Sequence, residues 1–222
     1  MGADPAGLAA GRPLRAELTR AEAAKLRLQR AAFVAASLPA LWLLARFALD
    51  ALGVDPVATL TRSTGIWTLN SLMLCLAATP ARRHLGWLWP LQIRRLLGLF
   101  AFFYGSLHVL VYLAFDHSFA LAEIVLDVLR RPYLTAGLLA YAILAALAAT
   151  STRTMIRRLG KHWKPLHRLI YLAGIAATLH FLWLVKRDIT EPGLYILVLC
   201  GLFILRLSRR RRHGSQSPSS FP

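Results

Sequence analysis

Residues 167–185 read HRLIYLAGIAATLHFLWLV, and this stretch decides the fold. It is apolar over almost its whole length and long enough to cross a bilayer, yet it carries His167 and His180. Similar apolar runs recur along the chain, separated by short basic or turn-rich segments. The predicted membrane spans are 33–52, 64–80, 95–115, 133–151, 167–185 and 193–207. The sequence therefore predicts an all-α, polytopic membrane protein, a bundle of six transmembrane helices.

The composition supports this class of protein. Of the 222 residues 57% are hydrophobic and the mean hydropathy is +0.51, more apolar than the surface of a soluble domain allows. A net charge of +17 in a soluble protein would suggest nucleic acid. Here the basic residues lie between apolar runs, so we expect the lipid bilayer as a partner and no nucleic acid. Cys75 and Cys200 lack CxxC spacing and are predicted to be small buried hydrophobic residues.

The basic residues also predict the orientation. With the N-terminus inside, the inner segments hold 21 of the 27 Lys and Arg residues, whereas seven of the ten acidic residues fall outside. Both termini are therefore predicted to be cytoplasmic. We divide the chain into a basic N-terminal segment 1–32, a transmembrane domain 33–207 and a basic, then Ser/Pro-rich, disordered tail 208–222. The largest outer loop is predicted at 116–132.

The seven histidines fall into two groups. Four lie in loops, in the tail or at a span boundary and are predicted to be solvated: His84, His117, His162 and His213. His108 and His180 lie inside the third and fifth spans, where a polar side chain is costly and usually has a partner or a function. His108 is 13 residues after Arg95, and His180 is 13 residues after His167. Both are therefore expected about 20 Å from the inner face. Two neutral imidazoles at one height on parallel helices predict a low-spin, bis-histidine haem that transfers electrons without binding oxygen.

His167 is harder to interpret from the sequence. On one straight helix it would lie about 20 Å below His180 and about 140° around the axis. The residues expected opposite it are Arg94 and Arg95, not a histidine. It is either a ligand of a second haem or an interfacial histidine bonded to a headgroup or cofactor. The inner-face arginines, including Arg94 and Arg95, either anchor the helices in anionic lipid or bind haem propionates or a flavin phosphate.

Other function classes stay open on the residues alone. One is a proton channel or transporter that uses intramembrane histidines as a relay. Against it, no Asp or Glu lies in the middle of a span, and no inverted repeat is visible. Another is a membrane anchor whose histidines only pack. The chain has no GxGxxG, Walker, CxxC or HExxH motif, so neither a soluble nucleotide domain nor a zinc site is indicated.

Three stretches resemble a known family. They are RRLLGLFAFFYGSLHVLVYL at 94–113, RRPYLTAG at 130–137 and TSTRTMIRRLGKHWKPLHRLIYLAGIAATLHFLWLVK at 150–186. They are similar to the ferric-reductase-like transmembrane family, and more closely to its MsrQ (YedZ) branch, a resemblance that extends over about 33–207. It implies a six-helix protein with haem b between the third and fifth helices, and haem-iron ligands at His108, His167 and His180.

The resemblance also implies a function. Members of this branch take electrons from quinol, with FMN also bound, in the bacterial inner membrane. They pass them to a periplasmic molybdopterin-containing catalytic subunit that repairs methionine sulfoxide. The chain would be an electron-transfer subunit without catalytic residues of its own.

The alternative is a ferric or other metal reductase-like haem protein with another acceptor. The chain lacks the second histidine in the third span and the cytoplasmic FAD/NAD(P)H domain of larger ferric reductases and NADPH oxidases. We therefore expect no direct oxidation of a pyridine nucleotide.

Overall fold

The computed structural model describes residues 5–116, 118–185 and 188–208, with side chains from residue 20 onward. Over these residues the chain is helical and has no strand. The helices are α1 (Pro5–Ala48), α2 (Pro56–Leu85), α3 (Trp89–Val111), α4 (Leu121–Arg130), α5 (Pro132–Ala149), α6 (Arg153–Leu159), α7 (Trp163–His167), α8 (Ile170–Leu184) and α9 (Thr190–Ser208). A π-helical turn, Tyr112–Asp116, extends α3, and a 3₁₀ turn, Gly160–His162, joins α6 to α7. His117, His213 and residues 209–222 of the predicted tail lie outside the described residues.

The sequence marks the ends of α2 clearly. Asp55 precedes the helix, and its carboxylate accepts a hydrogen bond from the backbone N–H of Ala58 at 2.9 Å. Pro56 occupies the first helical position, where its missing N–H costs nothing. At the other end Gly86 adopts φ 74°, a left-handed conformation that a glycine takes without strain. These signals let α2 stop sharply, and α3 begins after only three intervening residues, 86–88.

Most of the helical surface is suited to lipid. In the described part of the chain, four helical stretches are long and apolar enough to cross a membrane: Arg20–Ala48, Trp89–Asp116, Pro132–Ala149 and Thr190–Ser208. The bent pair Arg153–His167 and Ile170–Leu184 makes a fifth. The predicted second span, 64–80, lies within α2, whose polar residues keep it out of this group. The all-α, polytopic class is confirmed, and the count of six spans stays a prediction.

The core lies between α2, α3, α5, α8 and α9. α2 packs most extensively on α3, and α5 on α8. The buried cluster includes Leu72, Ala101, Leu144 and Ala173, each from a different helix of these two pairs. The structure therefore contains two tightly packed helix pairs, α2 with α3 and α5 with α8.

Three expectations from the sequence need correction. The predicted loop 116–132 contains the ten-residue helix α4. Its Asp127 is fixed by the hydroxyl of Tyr112 at 3.1 Å and by Arg131 at 2.7 Å. Cys200 is exposed on α9, so only Cys75 is buried. A cysteine side chain behaves as a small hydrophobic group, so exposing it to the apolar interior of a bilayer costs little.

The third correction concerns the predicted continuous helix 167–185. The chain bends by 44° between His167 and Ile170. Pro165 has no N–H to donate, and the next residues close tighter turns: Arg168 donates to the Pro165 carbonyl at 3.1 Å and Leu169 to that of Leu166 at 3.0 Å. His167 thus belongs to α7 and His180 to α8. The rise of about 20 Å and the azimuth of about 140° expected for one straight helix do not describe these two residues.

Candidate functional site

His108 lies on α3, where α2 holds its ring. The Nδ1–H donates to the carbonyl oxygen of Thr61 at 2.9 Å, and the hydroxyl of Thr64 lies 3.4 Å from the same nitrogen. Gly65 makes room for the ring, because a Cβ there would lie 3.3 Å from Nδ1 and Cε1. A carbonyl oxygen can only accept, so the proton must be on Nδ1. The lone pair of Nε2 is therefore available to a metal.

His180 lies on α8 and is held by α5 in the same way. Its Nδ1–H donates to the carbonyl oxygen of Tyr133 at 2.7 Å. The contact with Gly137 is closer than that with Gly65, because a Cβ at Gly137 would lie 2.8 Å from Nδ1 and 3.0 Å from Cε1. This histidine also presents the lone pair of Nε2. Hydrogen bonds of this kind, from the ring nitrogen that does not face the metal, orient histidines that bind metals.

The two rings lie close together, at a separation that would suit one metal ion between their Nε2 atoms. Their centroids are 6.1 Å apart and their planes are 84° from parallel. With metal–imidazole bonds of about 2 Å, and roughly 1 Å from nitrogen to ring centre, two axial imidazoles on one iron have centroids about 6 Å apart. The observed separation matches that arrangement. The described residues contain no group of three or more His, Cys, Asp or Glu side chains that could hold a metal ion. A macrocycle that supplies its own equatorial ligands needs only these two histidines, so the residues present fit a haem.

The two half-sites are related by a constant shift in the sequence. In each, 47 residues separate the histidine from the residue whose carbonyl it contacts, and the glycine follows that residue by four. Thr61, Gly65 and His108 become Tyr133, Gly137 and His180 when 72 is added to their numbers. The sequence reasoning missed both glycines and both carbonyls. The signal that could have found them is this repeated spacing, a parallel repeat rather than an inverted one.

His167 lies apart from this pair. Its ring stacks on Trp163 with centroids 4.0 Å apart, and Nδ1 lies 3.2 Å from the Trp163 carbonyl oxygen. The indole N–H of Trp163 donates in turn to the Thr150 carbonyl at 3.0 Å. Among the described residues, the His167 Nε2 is the one buried side-chain nitrogen or oxygen atom that makes no hydrogen bond of normal geometry, and the Leu147 carbonyl lies near the same ring. A weakly satisfied buried nitrogen of this kind could accept a ligand.

The two arginines predicted to bind a cofactor differ in their surroundings. Arg94 is half-buried, and its guanidinium donates to the hydroxyl of Thr79 at 3.4 Å. It also lies close enough to His167 to interact electrostatically. Arg95 is exposed and makes no hydrogen bond or ion pair with any described residue. The repeat places Arg95 at the position equivalent to His167, since the two numbers differ by 72.

Comparison with known proteins also indicates a haem-binding membrane protein. Residues 64–178 match the family described as the ferric reductase like transmembrane component. Three relatives carry the name protein-methionine-sulfoxide reductase heme-binding subunit MsrQ. The chain is 46% identical to that of Rhodospirillum rubrum over 192 residues (85% of this chain, 92% of the relative). It is 41% identical to that of Ralstonia nicotianae over 198 residues (86% and 91%) and 42% identical to that of Azospira oryzae over 194 residues (86% and 83%).

Proposed function

The chain belongs to the MsrQ family of ferric-reductase-like membrane proteins, and from this premise we propose that it binds haem b and transfers electrons in a protein-methionine-sulfoxide reductase system. One observation carries the proposal. Two imidazoles on neighbouring helix pairs lie with their ring centroids 6.1 Å apart, and each is held through Nδ1 so that Nε2 is available.

In this proposal His108 and His180 would hold the haem through its iron. The carbonyls of Thr61 and Tyr133 keep each ring in the tautomer that can ligate, and the two glycines let the rings approach the helices. A haem held by both histidines would supply one-electron transfer and would not bind oxygen or a sulfoxide. The protein holds the cofactor and sets its surroundings, and the bond-making chemistry belongs to another subunit.

The opposite end of the bundle receives the electrons in this proposal. His167, whose buried Nε2 makes no hydrogen bond of normal geometry, would hold the iron of a second haem, and Arg94 and Arg95 would bind the anionic groups of cofactors there. Quinol is the electron donor and FMN an additional cofactor. The basic residues that flank this end keep it on the cytoplasmic side, together with both termini.

The acceptor lies on the other side of the membrane. We assign the chain to the bacterial inner membrane and its partner to the periplasm, as the molybdopterin-containing catalytic subunit that reduces methionine sulfoxide in proteins. The His108–His180 pair is nearer that face, because it lies near the ends of α3 and α8 that lead to the acidic outer segments. A short distance to the outer surface favours transfer to a docked partner.

The histidine-relay alternative is less well supported by the same contacts. A proton relay needs a group on each side of the imidazole that can give or accept a proton. At His108 and His180 the Nδ1–H is fixed on a backbone carbonyl, which has no proton to pass on. A haem ligand needs this arrangement, whereas a proton channel does not.

The reduced-minus-oxidised spectrum of the purified protein tests the proposal. We expect a b-type α band in the wild type and loss of most low-spin absorbance in His108→Ala and in His180→Ala. His162→Ala is the matched control, because this histidine is exposed and makes no contact with the pair. Full retention of the low-spin spectrum in both of the first two variants would contradict the ligand assignment.

A further inference from the structure

One carboxylate connects the two helix pairs at the end of the bundle where α3 finishes and α5 begins. Asp127 lies on α4, between these two helices in the chain, and its side chain is only 13% exposed. Its Oδ2 accepts a hydrogen bond from the Tyr112 hydroxyl at 3.1 Å, and its Oδ1 pairs with the Arg131 guanidinium at 2.7 Å. Each oxygen therefore contacts a different side of the histidine site.

The Tyr112 contact leads to His108. Tyr112 directly follows α3, and its backbone N–H donates to the carbonyl oxygen of His108. Residues four apart on a helix lie on the same face, one turn from each other. The hydrogen bond from the Tyr112 hydroxyl to Asp127 thus anchors the turn of α3 that carries His108.

The Arg131 contact leads to His180. Arg131 directly precedes α5, and its guanidinium donates to the hydroxyl of Tyr133 at 3.0 Å. The Tyr133 carbonyl accepts the 2.7 Å hydrogen bond from the His180 Nδ1, and the two rings have centroids 6.1 Å apart. The same carboxylate therefore anchors the first turn of α5, the turn that orients His180.

The contacts of Asp127 differ in kind from the packing around them. Apolar packing between helices is non-directional, whereas hydrogen bonds to a carboxylate depend on distance and angle and are about twice as strong as neutral ones. The other printed polar link between α3 and α5 joins the hydroxyls of Ser106 and Tyr141 at a longer 3.3 Å. Asp127 is thus the stronger directional contact between the two helix pairs.

We infer that Asp127 is a positioning residue, which sets the mutual orientation of the His108 and His180 rings by fixing how the two helix pairs dock. It touches neither ring and acts through Tyr112 and Arg131. The inference rests on the proposed function, because the ring orientation acts on the haem that the two histidines would hold. The ring planes are now 84° from parallel.

Electron paramagnetic resonance of the ferric, haem-loaded full chain in nanodiscs tests the inference. The highest g value of a low-spin ferric haem depends on the angle between its two imidazole planes, and it is largest when they are nearly perpendicular. The variants are Asp127→Asn and Tyr112→Phe, of which the second removes only a hydroxyl and keeps the packing of the ring. Asp116→Asn is the control with the same change in charge, because Asp116 is exposed at the end of the π-helical turn that begins at Tyr112.

We expect the highest g value to fall in both variants and to stay at the wild-type position in the control. At limiting haem the haem-to-protein ratio should fall by about fivefold in Asp127→Asn, the order expected for one lost hydrogen bond. A purely structural role would lower this ratio and leave the g value of the remaining haem unchanged.

That outcome overturns the inference, as does an equal shift in the control, since charge alone would then explain it. Unchanged spectra in both variants also overturn it, while the proposed function stands. A wild type without a low-spin signal would overturn the proposed function and this inference with it.

Discussion

Gly137→Ala places a methyl group where His180 leaves no space. The added Cβ would lie 2.8 Å from Nδ1, whereas ordinary contacts begin at 3.4 Å, so the ring must retreat by about half an ångström. That shift stretches or breaks the 2.7 Å hydrogen bond from Nδ1 to the Tyr133 carbonyl. Loss of such a bond typically weakens metal binding by about 10- to 100-fold. At limiting haem we expect the haem-to-protein ratio to fall by about tenfold.

The measurement is the haem-to-protein ratio and the low-spin spectrum of purified protein. Gly201→Ala on α9 is the control, because its Cβ would meet nothing within 4 Å. There the change should be neutral or stabilise the helix by up to about 1 kcal/mol. Gly65→Ala should fall between the two, since its Cβ would lie 3.3 Å from the His108 ring. Wild-type haem content in Gly137→Ala would refute the steric argument.

Two further predictions concern other parts of the fold. His167→Ala should lower the haem-to-protein ratio while the low-spin signal of His108 and His180 persists; an unchanged ratio in quantitative haem analysis would exclude His167 as a ligand. Tyr104→Phe should loosen α1 from α3, because the hydroxyl donates to the Ala36 carbonyl at 2.6 Å, and removing it should cost about 1 kcal/mol. A lower Tm with normal haem content is expected, and an unchanged Tm would show that this hydrogen bond contributes nothing measurable.

The fold class was predictable because a bilayer imposes simple rules on a sequence. Apolar runs of spanning length must be helices, since no other local structure satisfies the backbone in lipid. The polar residues of α2 complicate this rule. Thr64 and Ser71 are buried against neighbouring helices rather than exposed to lipid. Mean hydropathy averages over all faces of a helix, so it cannot distinguish a polar face packed against other helices from one exposed to lipid.

The histidine site was only partly predictable. The equal spacings of 13 residues, from Arg95 to His108 and from His167 to His180, suggested that His108 and His180 lie at one level. The two rings do lie close together, although the bend between α7 and α8 interrupts the second spacing. The partners of their Nδ1 atoms are backbone carbonyls, which every residue possesses, so residue type gives no hint of them. His167 was misplaced because the sequence reasoning took 167–185 as one straight helix, whereas the turns after Pro165 end α7 at His167.

The shift of 72 residues between the two half-sites has a consequence for assembly in the membrane. Thr61, Gly65 and His108 all belong to the pair α2–α3, and Tyr133, Gly137 and His180 all belong to α5–α8. Each imidazole is therefore oriented by contacts within its own helix pair. We expect each pair to orient its histidine independently of the other, so that the spacing between the two rings depends on how the two helix pairs dock in the membrane.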